Sequence, residues 1–230
     1  MARQNVTVVT GASGNLGSAV VRELVALGHA VVALVHERSA ERARALIGSH
    51  PGLVVTGDAT SPEVWAKLLD ETSRGLGAPT GAALIAGSWR GGRDEAAWHA
   101  MLEANLDTAR LGLDALLPGM VERESGSVVL VGSRAAVRPW ESAKAAAYAA
   151  TKAAVVALGS AAAAEVLESG VRINTVLPST IGTPQNRAAM PDADASRWVA
   201  PESIARVIAF LLSEGARDVS GAAIPVYGRA

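Results

Sequence analysis

The chain has 230 residues, half of them hydrophobic, with a formal charge of −1 and no cysteine. That length suits one domain with a large buried core, and the lack of cysteine excludes disulfides and thiolate metal sites. With 21 basic against 22 acidic residues and no Lys/Arg block, nucleic-acid binding has no electrostatic support.

Residues 5–10 read as a buried strand, with Val6, Val8 and Val9 supplying β-branched bulk. The loop that follows contains Gly11, Ser13, Gly14, Asn15, Leu16 and Gly17. A helix with Leu16, Val20, Val21, Leu24 and Leu27 on one stripe then runs to Gly28, a natural stop. Residues 30–35 form the next strand. In such a strand–loop–helix unit Gly11 permits a tight turn, Gly14 lets backbone amides approach a pyrophosphate, and Gly17 allows close helix–strand packing. The helix amino terminus adds partial positive charge for phosphates, so the unit is read as dinucleotide-binding.

The alternation continues to the end of the chain. Residues 39–48 read as helix and residues 53–56 as a strand ending at Gly57 and Asp58. Ser61 and Pro62 open another helix as N-cap and first residue. A strand over 82–86, a long helical region over 94–120 and a strand over 127–131 precede the helix bearing Tyr148. Strand 171–177, helix 201–213 and strand 222–226 complete the series. Alternating strands and helices predict an α/β fold: a doubly wound, mostly parallel Rossmann-type sheet with helices on both faces, one domain over 1–230. Ligands of such sheets bind beyond the carboxyl ends of the strands. That brings the glycine loop, Asp58 and Ala59, Ala86 and Gly87, Ser133, and Pro178, Ile181 and Thr183 around one crevice. No apolar run is read as long enough to cross a bilayer, and the first five residues lack a signal-peptide layout. No membrane association is expected, and a cytoplasmic location is the default.

Tyr148 and Lys152 are four residues apart on an otherwise smooth, alanine-rich helix, so phenol and ammonium share one face. One reading is a proton donor whose pKa is lowered by its neighbour; the other is a snorkelling lysine beside a half-buried tyrosine.

The glycine loop, Asp58, Asn105, Ser133, the Tyr148/Lys152 pair and residues 174–184 together resemble the short-chain dehydrogenase/reductase family over essentially the whole chain. The resemblance implies that Tyr148 gives its proton to a carbonyl oxygen as hydride reaches the carbon. Lys152 would favour the phenolate and hold the nicotinamide ribose. It also implies that Ser133 hydrogen-bonds the substrate oxygen and that Asn105 orders a water path from Lys152. Ile181 and Thr183 would position the carboxamide, and Asp58 would contact the adenine. Three departures stand out: Asn15 where a glycine is usual, Leu84-Ile85-Ala86-Gly87 in place of Asn-Asn-Ala-Gly, and fifteen residues between Ser133 and Tyr148, about two more than usual. Two stretches, 86–92 and 183–194, are similar to dihydropteridine reductases, which makes a quinonoid pterin the alternative substrate. A non-catalytic dinucleotide-binding redox sensor is the second class of function.

Val35 stands where an NAD-preferring enzyme would carry Asp, and His36 and Arg38 follow, so NADP(H) is slightly preferred over NAD(H) despite Glu37 between them. Residues 184–200, polar and weakly periodic, read as a lid over the substrate. Trp89, Trp140 and Trp198 are placed near the crevice mouth and Trp65 and Trp98 within helices; Arg90, Arg93, Arg134 and Arg138 gather at the same rim. No residue set has metal-ligand spacing, so no metal is expected. The alanine-rich helices from residues 94 and 145 fit the homodimer or homotetramer interface that the resemblance implies.

Overall fold

The computed structural model describes residues 5–229. Its strands are β1 (Val6–Thr10), β2 (Ala30–Val35), β3 (Gly52–Thr56), β4 (Gly81–Leu84), β5 (Gly126–Val131), β6 (Val171–Pro178) and β7 (Ala223–Val226). They form one seven-stranded sheet in the order β3-β2-β1-β4-β5-β6-β7, with every pairing parallel. The order reverses between β1 and β4, and that gap at the carboxyl edge is where such sheets bind ligands. The helices are α1 (Asn15–Ala26), α2 (Ala40–Ile47), α3 (Pro62–Gly75), α4 (Glu95–Met101), α5 (Thr108–Glu122), α6 (Ala146–Glu165), α7 (Pro184–Ala189) and α8 (Pro201–Leu212).

The pleat sends alternate strand residues to opposite faces, and each face has its own core. Val6 and Val8 of β1, with Val32, Leu84, Leu130 and Ile173, pack under α3, α5 and α6 through Trp65, Leu68, Leu113, Leu116 and Val155. Val9, with Val31, Val35, Ala83, Val129 and Val176, packs under α1, α2 and α8 through Val20, Leu24, Ile47, Ile204 and Ile208. Because both faces are covered, the central strands are buried almost throughout.

Local signals account for several boundaries. Gly28 adopts φ 81° just past α1, as a helix-ending glycine does. Ser61 accepts the Val64 amide at the start of α3, with Pro62 as its first residue. Asp94 caps α4 through the Ala97 amide at 2.6 Å.

Four expectations need correction. The long helix over 94–120 is divided by a π-helical turn, Leu102–Asp107, whose buried residue is Asn105. The segment over 184–200 is not irregular throughout: Thr183 accepts the Asn186 amide and Pro184 starts α7, while Asp194 caps a 3-10 turn at Ala195–Arg197. One helix, α6, is long and apolar enough by length and composition to cross a bilayer. Its apolarity comes from alanines and valines packed against β6 and the β5–α6 loop, and it buries Lys152. Trp98, expected to pack within its helix, is partly exposed, whereas Trp65 is buried with its indole nitrogen bonded to the Ala59 carbonyl at 2.9 Å.

Candidate active site

The turn after β1 is a cradle shaped by what its residues lack. Gly11 has φ 62°, and a Cβ there would press on Ala86 Cα at 3.2 Å. A Cβ on Gly17 would collide with the Gly11 carbonyl, so only glycine lets α1 approach β1 this closely. Gly14 behaves differently from expectation. Its amide donates to the Gly11 carbonyl at 2.9 Å, so the turn closes on itself and that amide is already used. The free donors lie one step on. No side chain caps the start of α1 and no acid lies in its first turn, which leaves the first-turn amides at Asn15, Leu16 and Gly17 for an anion. Ser18 Oγ, buried in the same turn, has no partner among the described residues. Half-buried Ser13 completes the rim. This shape and polarity fit the phosphates of a dinucleotide.

Other expected binding residues stand along the same edge. Val35 ends β2 buried, while His36, Glu37 and Arg38 follow it exposed to solvent. Asp58 follows β3, where its Oδ1 accepts the Thr60 amide and hydroxyl at 2.9 and 2.8 Å. Those bonds hold the Asp58 carboxyl below its usual range, with nearby His36 adding to the effect. Asp58 is thus a turn-capping group here, with both bonds made through Oδ1. Thr183 likewise caps α7 with the hydroxyl expected to position a carboxamide. The Ile181 carbonyl accepts from Asn186 Nδ2 at 2.9 Å, and Pro178 closes β6.

The residues expected to transfer protons come together from three elements. Ser133 follows β5 and accepts the Ala135 amide at 3.1 Å, capping a short 3-10 turn. Its hydroxyl also faces the Tyr148 phenol of α6 closely enough to act on it. Burial pushes the Tyr148 phenol above the ordinary value, and the neighbouring Ser133 hydroxyl draws it part of the way back. Lys152 is not among the groups that shift the phenol in the cofactor-free protein. Lys152 Nζ instead donates to the Val131 carbonyl at 2.9 Å, on the adjacent turn of the site. Burial, with 5% of the residue exposed, pushes the Lys152 ammonium down to about 8. Desolvation is the leading cause of both shifts. Asn105 joins them through Gly87: a Cβ on Gly87 would sit 2.7 Å from Asn105 Oδ1 and 3.3 Å from Lys152 Nζ. Asn105 Oδ1 accepts the Ser88 amide at 3.1 Å, and its Nδ2 makes only long 3.5 Å contacts, to Met101 Sδ and Thr151 Oγ1.

The family model described as short chain dehydrogenase matches residues 5–194. The chain belongs to the short-chain dehydrogenase family. It is similar to the 2,5-dichloro-2,5-cyclohexadiene-1,4-diol dehydrogenase of Sphingobium indicum, 29% identical over 238 residues, 97% of this chain and 94% of that one. It is 32% identical over 242 residues to the 3-oxoacyl-[acyl-carrier-protein] reductase of Pseudomonas aeruginosa, covering 97% and 96% of the two chains. Among solved structures it resembles a 3-oxoacyl-[acyl-carrier protein] reductase of Brucella melitensis with bound NAD, at TM-score 0.85 and 25% identity, over 99% and 91% of the chains. As a short-chain dehydrogenase the chain is an oxidoreductase that uses NAD or NADP.

Some site residues of this short-chain dehydrogenase escaped the sequence reading. Thr10, last in β1, accepts the Ile85 and Ala86 amides at 2.9 and 3.0 Å and ties β1 to the β4 loop across the switch point. It secures the stretch in which the usual asparagine amides are absent. A threonine directly before Gly11 was the available signal. Asn15, the departure within the glycine loop, donates to Gln185 Oε1 of α7 at 2.7 Å; with the two residues 170 positions apart, no linear signal existed. Of the four rim arginines, Arg134 and Arg138 line a groove with Arg197, which was not expected, while Arg90 pairs with Asp94 at 3.8 Å. Trp89 and Trp140 are exposed, and Trp198 is half-buried beneath the Arg187 guanidinium. No group of metal ligands occurs among the described residues.

Proposed function

We propose that this short-chain dehydrogenase interconverts a small carbonyl compound and its alcohol, with Tyr148 as general acid and base. The observation that carries this reading is the convergence of the Ser133 hydroxyl on the Tyr148 phenol, with Lys152 buried one turn along the same helix and bonded to Val131. When bound, a nicotinamide dinucleotide supplies or accepts the hydride. The first turn of α1 with Gly11 and Gly17 would hold its phosphates, and the edge formed by Ala86, Gly87, Pro178, Ile181 and Thr183 would hold its nicotinamide end. Asp58 and Ala59 would border the adenine.

Burial keeps the Tyr148 phenol protonated, the state a general acid needs near neutrality. The phenol gives its proton to the carbonyl oxygen during reduction, while the Ser133 hydroxyl hydrogen-bonds the same oxygen. Lys152, charged and desolvated, stabilises the phenolate left behind. Asn105 and Lys152 converge at Gly87, which supports a proton path from Tyr148 toward solvent along that side. In the oxidative direction the same atoms work in reverse.

NADP(H) is the preferred cofactor in this reading. Val35 brings no carboxylate to the end of β2, and exposed His36 and Arg38 can meet a 2′-phosphate. Residues 184–200 act as the substrate lid within the single 1–230 domain, steadied by the Asn15–Gln185 bond. The alanine-rich faces of α4, α5 and α6 are the homo-oligomer surface.

The test is a panel of ketones, diketones, quinones and quinonoid dihydropterin followed by cofactor absorbance. Turnover of a carbonyl compound is the expected result. Turnover confined to the pterin would move the assignment to that substrate, and cofactor binding without turnover of anything would favour the redox sensor.

A further inference from the structure

Beside Ser133 the carboxyl edge opens into a groove of about 400 Å³, lined on one side by Arg134, Arg138 and Glu141 and on the other by Thr180, Asp194, Arg197 and Trp198. The first side is the β5–α6 loop, and the second is the segment following β6. Three guanidinium groups face two carboxylates, and both carboxylates are already engaged. Glu141 accepts from Arg134 Nε at 3.0 Å and from an Nη of Arg138 at 3.4 Å. Asp194 accepts the amide and hydroxyl of Ser196 at 3.1 and 2.6 Å. Arg197 gives its Nε to the Arg229 carbonyl at 3.1 Å. Among the described residues, the terminal Nη atoms of Arg134 and Arg197 have no protein acceptor.

Two of these arginines are also held in place. The Arg134 side chain is only 20% exposed, and its guanidinium stacks 5.7 Å from the Tyr227 ring centre, as does that of Arg138. One aromatic ring and one carboxylate therefore fix two like charges next to each other. A fixed planar fork loses little freedom on binding and matches the two oxygens of a carboxylate. Arg134 directly follows Ser133 in the chain, so the groove adjoins the end of β5 that presents Ser133.

We propose that the substrate is a small oxo acid, or the corresponding hydroxy acid, whose carboxylate is recognised by Arg134, Arg138 and Arg197 while its carbonyl meets Tyr148. The proposal names the substrate class of the carbonyl–alcohol reading above and rests on it for turnover, though not for binding.

The experiment pairs 4-oxopentanoate, 5-oxohexanoate and 4-oxocyclohexanecarboxylate with their primary amides, which keep the shape and lose the charge. Reduction is followed in wild type, Arg134→Gln and Arg197→Gln, and binding to the cofactor-loaded protein is measured calorimetrically in parallel. At least one acid should exceed its amide by about tenfold or more in kcat/KM, the scale of a charged hydrogen bond. Either substitution should bring the acid-to-amide ratio close to one, mainly through KM. A merely structural role for these arginines would lower acid and amide together and leave the ratio intact, which would overturn the proposal. Turnover of amides and acids alike in wild type would overturn it too, leaving the carbonyl reading in place. Arginine-dependent binding of the acids without reduction of any would support the anion site and overturn the carbonyl reading instead. Absence of any acid-selective binding or turnover would overturn the proposal.

Discussion

Lys152 keeps an ammonium group in a place that burial makes hostile to charge, and the consequence is measurable in the cofactor-free protein. Its pKa falls from 10.5 to about 8 on folding, which corresponds to about 3 kcal/mol of lost stability near pH 7 at ~1.4 kcal/mol per unit. Lys152→Met keeps most of the apolar stem and removes the charge. It also leaves the Val131 carbonyl without its 2.9 Å donor, a loss of about 1 kcal/mol. The variant should therefore be more stable than wild type by roughly 2 kcal/mol near pH 7, about 4–8 °C in Tm for a chain of this size. The pH dependence gives a second check. Between about 8 and 10.5 the unfolded lysine holds more protons than the folded one, so wild-type stability rises with pH across that window. The methionine variant lacks this rise, and the gap should close by about pH 10. Urea unfolding of both proteins near pH 7 and near pH 10 measures it. A variant less stable than wild type at neutral pH, with parallel pH profiles, would refute the charge-burial argument.

Three further predictions use different groups. His29 is buried against the Thr7 hydroxyl at 2.9 Å and its pKa is lowered from 6.5 by desolvation. Below about 6.5 the unfolded state holds more protons, so wild type should lose stability relative to His29→Gln as pH falls through that range; parallel unfolding curves would contradict this. Steady-state kinetics should give a lower KM for NADPH than for NADH, and a clear preference for NADH would reverse the reading of His36 and Arg38. Solution scattering at micromolar concentration should return the mass of a dimer or tetramer, with a monomer mass counting against the α4–α5–α6 surface.

The fold was legible because its signals are local and repeated. Val6, Val8 and Val9 state a two-sided strand, Ser61 and Pro62 state a helix start, and Gly28 states a stop. The strand order and the π-turn at Asn105 depend on packing between distant segments, and no local pattern encodes them; α7 had a local start signal in Thr183 and Pro184. At the site, the sequence identified which groups meet but misjudged what each does electrically. Spacing puts Tyr148 beside Lys152; it does not reveal that both are desolvated or that the ammonium is bonded to Val131. Gly14 was read as a phosphate-facing amide, yet its N–H closes the turn on Gly11 and passes that role to the residues after it. The groove between Arg134 and Arg197 joins segments more than sixty residues apart, so only half of its charge could be seen in order along the chain.

The account stands most directly on Tyr148. Its phenol should be indispensable for proton transfer and dispensable for holding the cofactor, so Tyr148→Phe should be compared with wild type on the best substrate of the panel, with cofactor affinity measured by fluorescence titration. The account expects kcat to fall by about 100-fold or more while the cofactor Kd changes little. Turnover by Tyr148→Phe at the wild-type rate would contradict it.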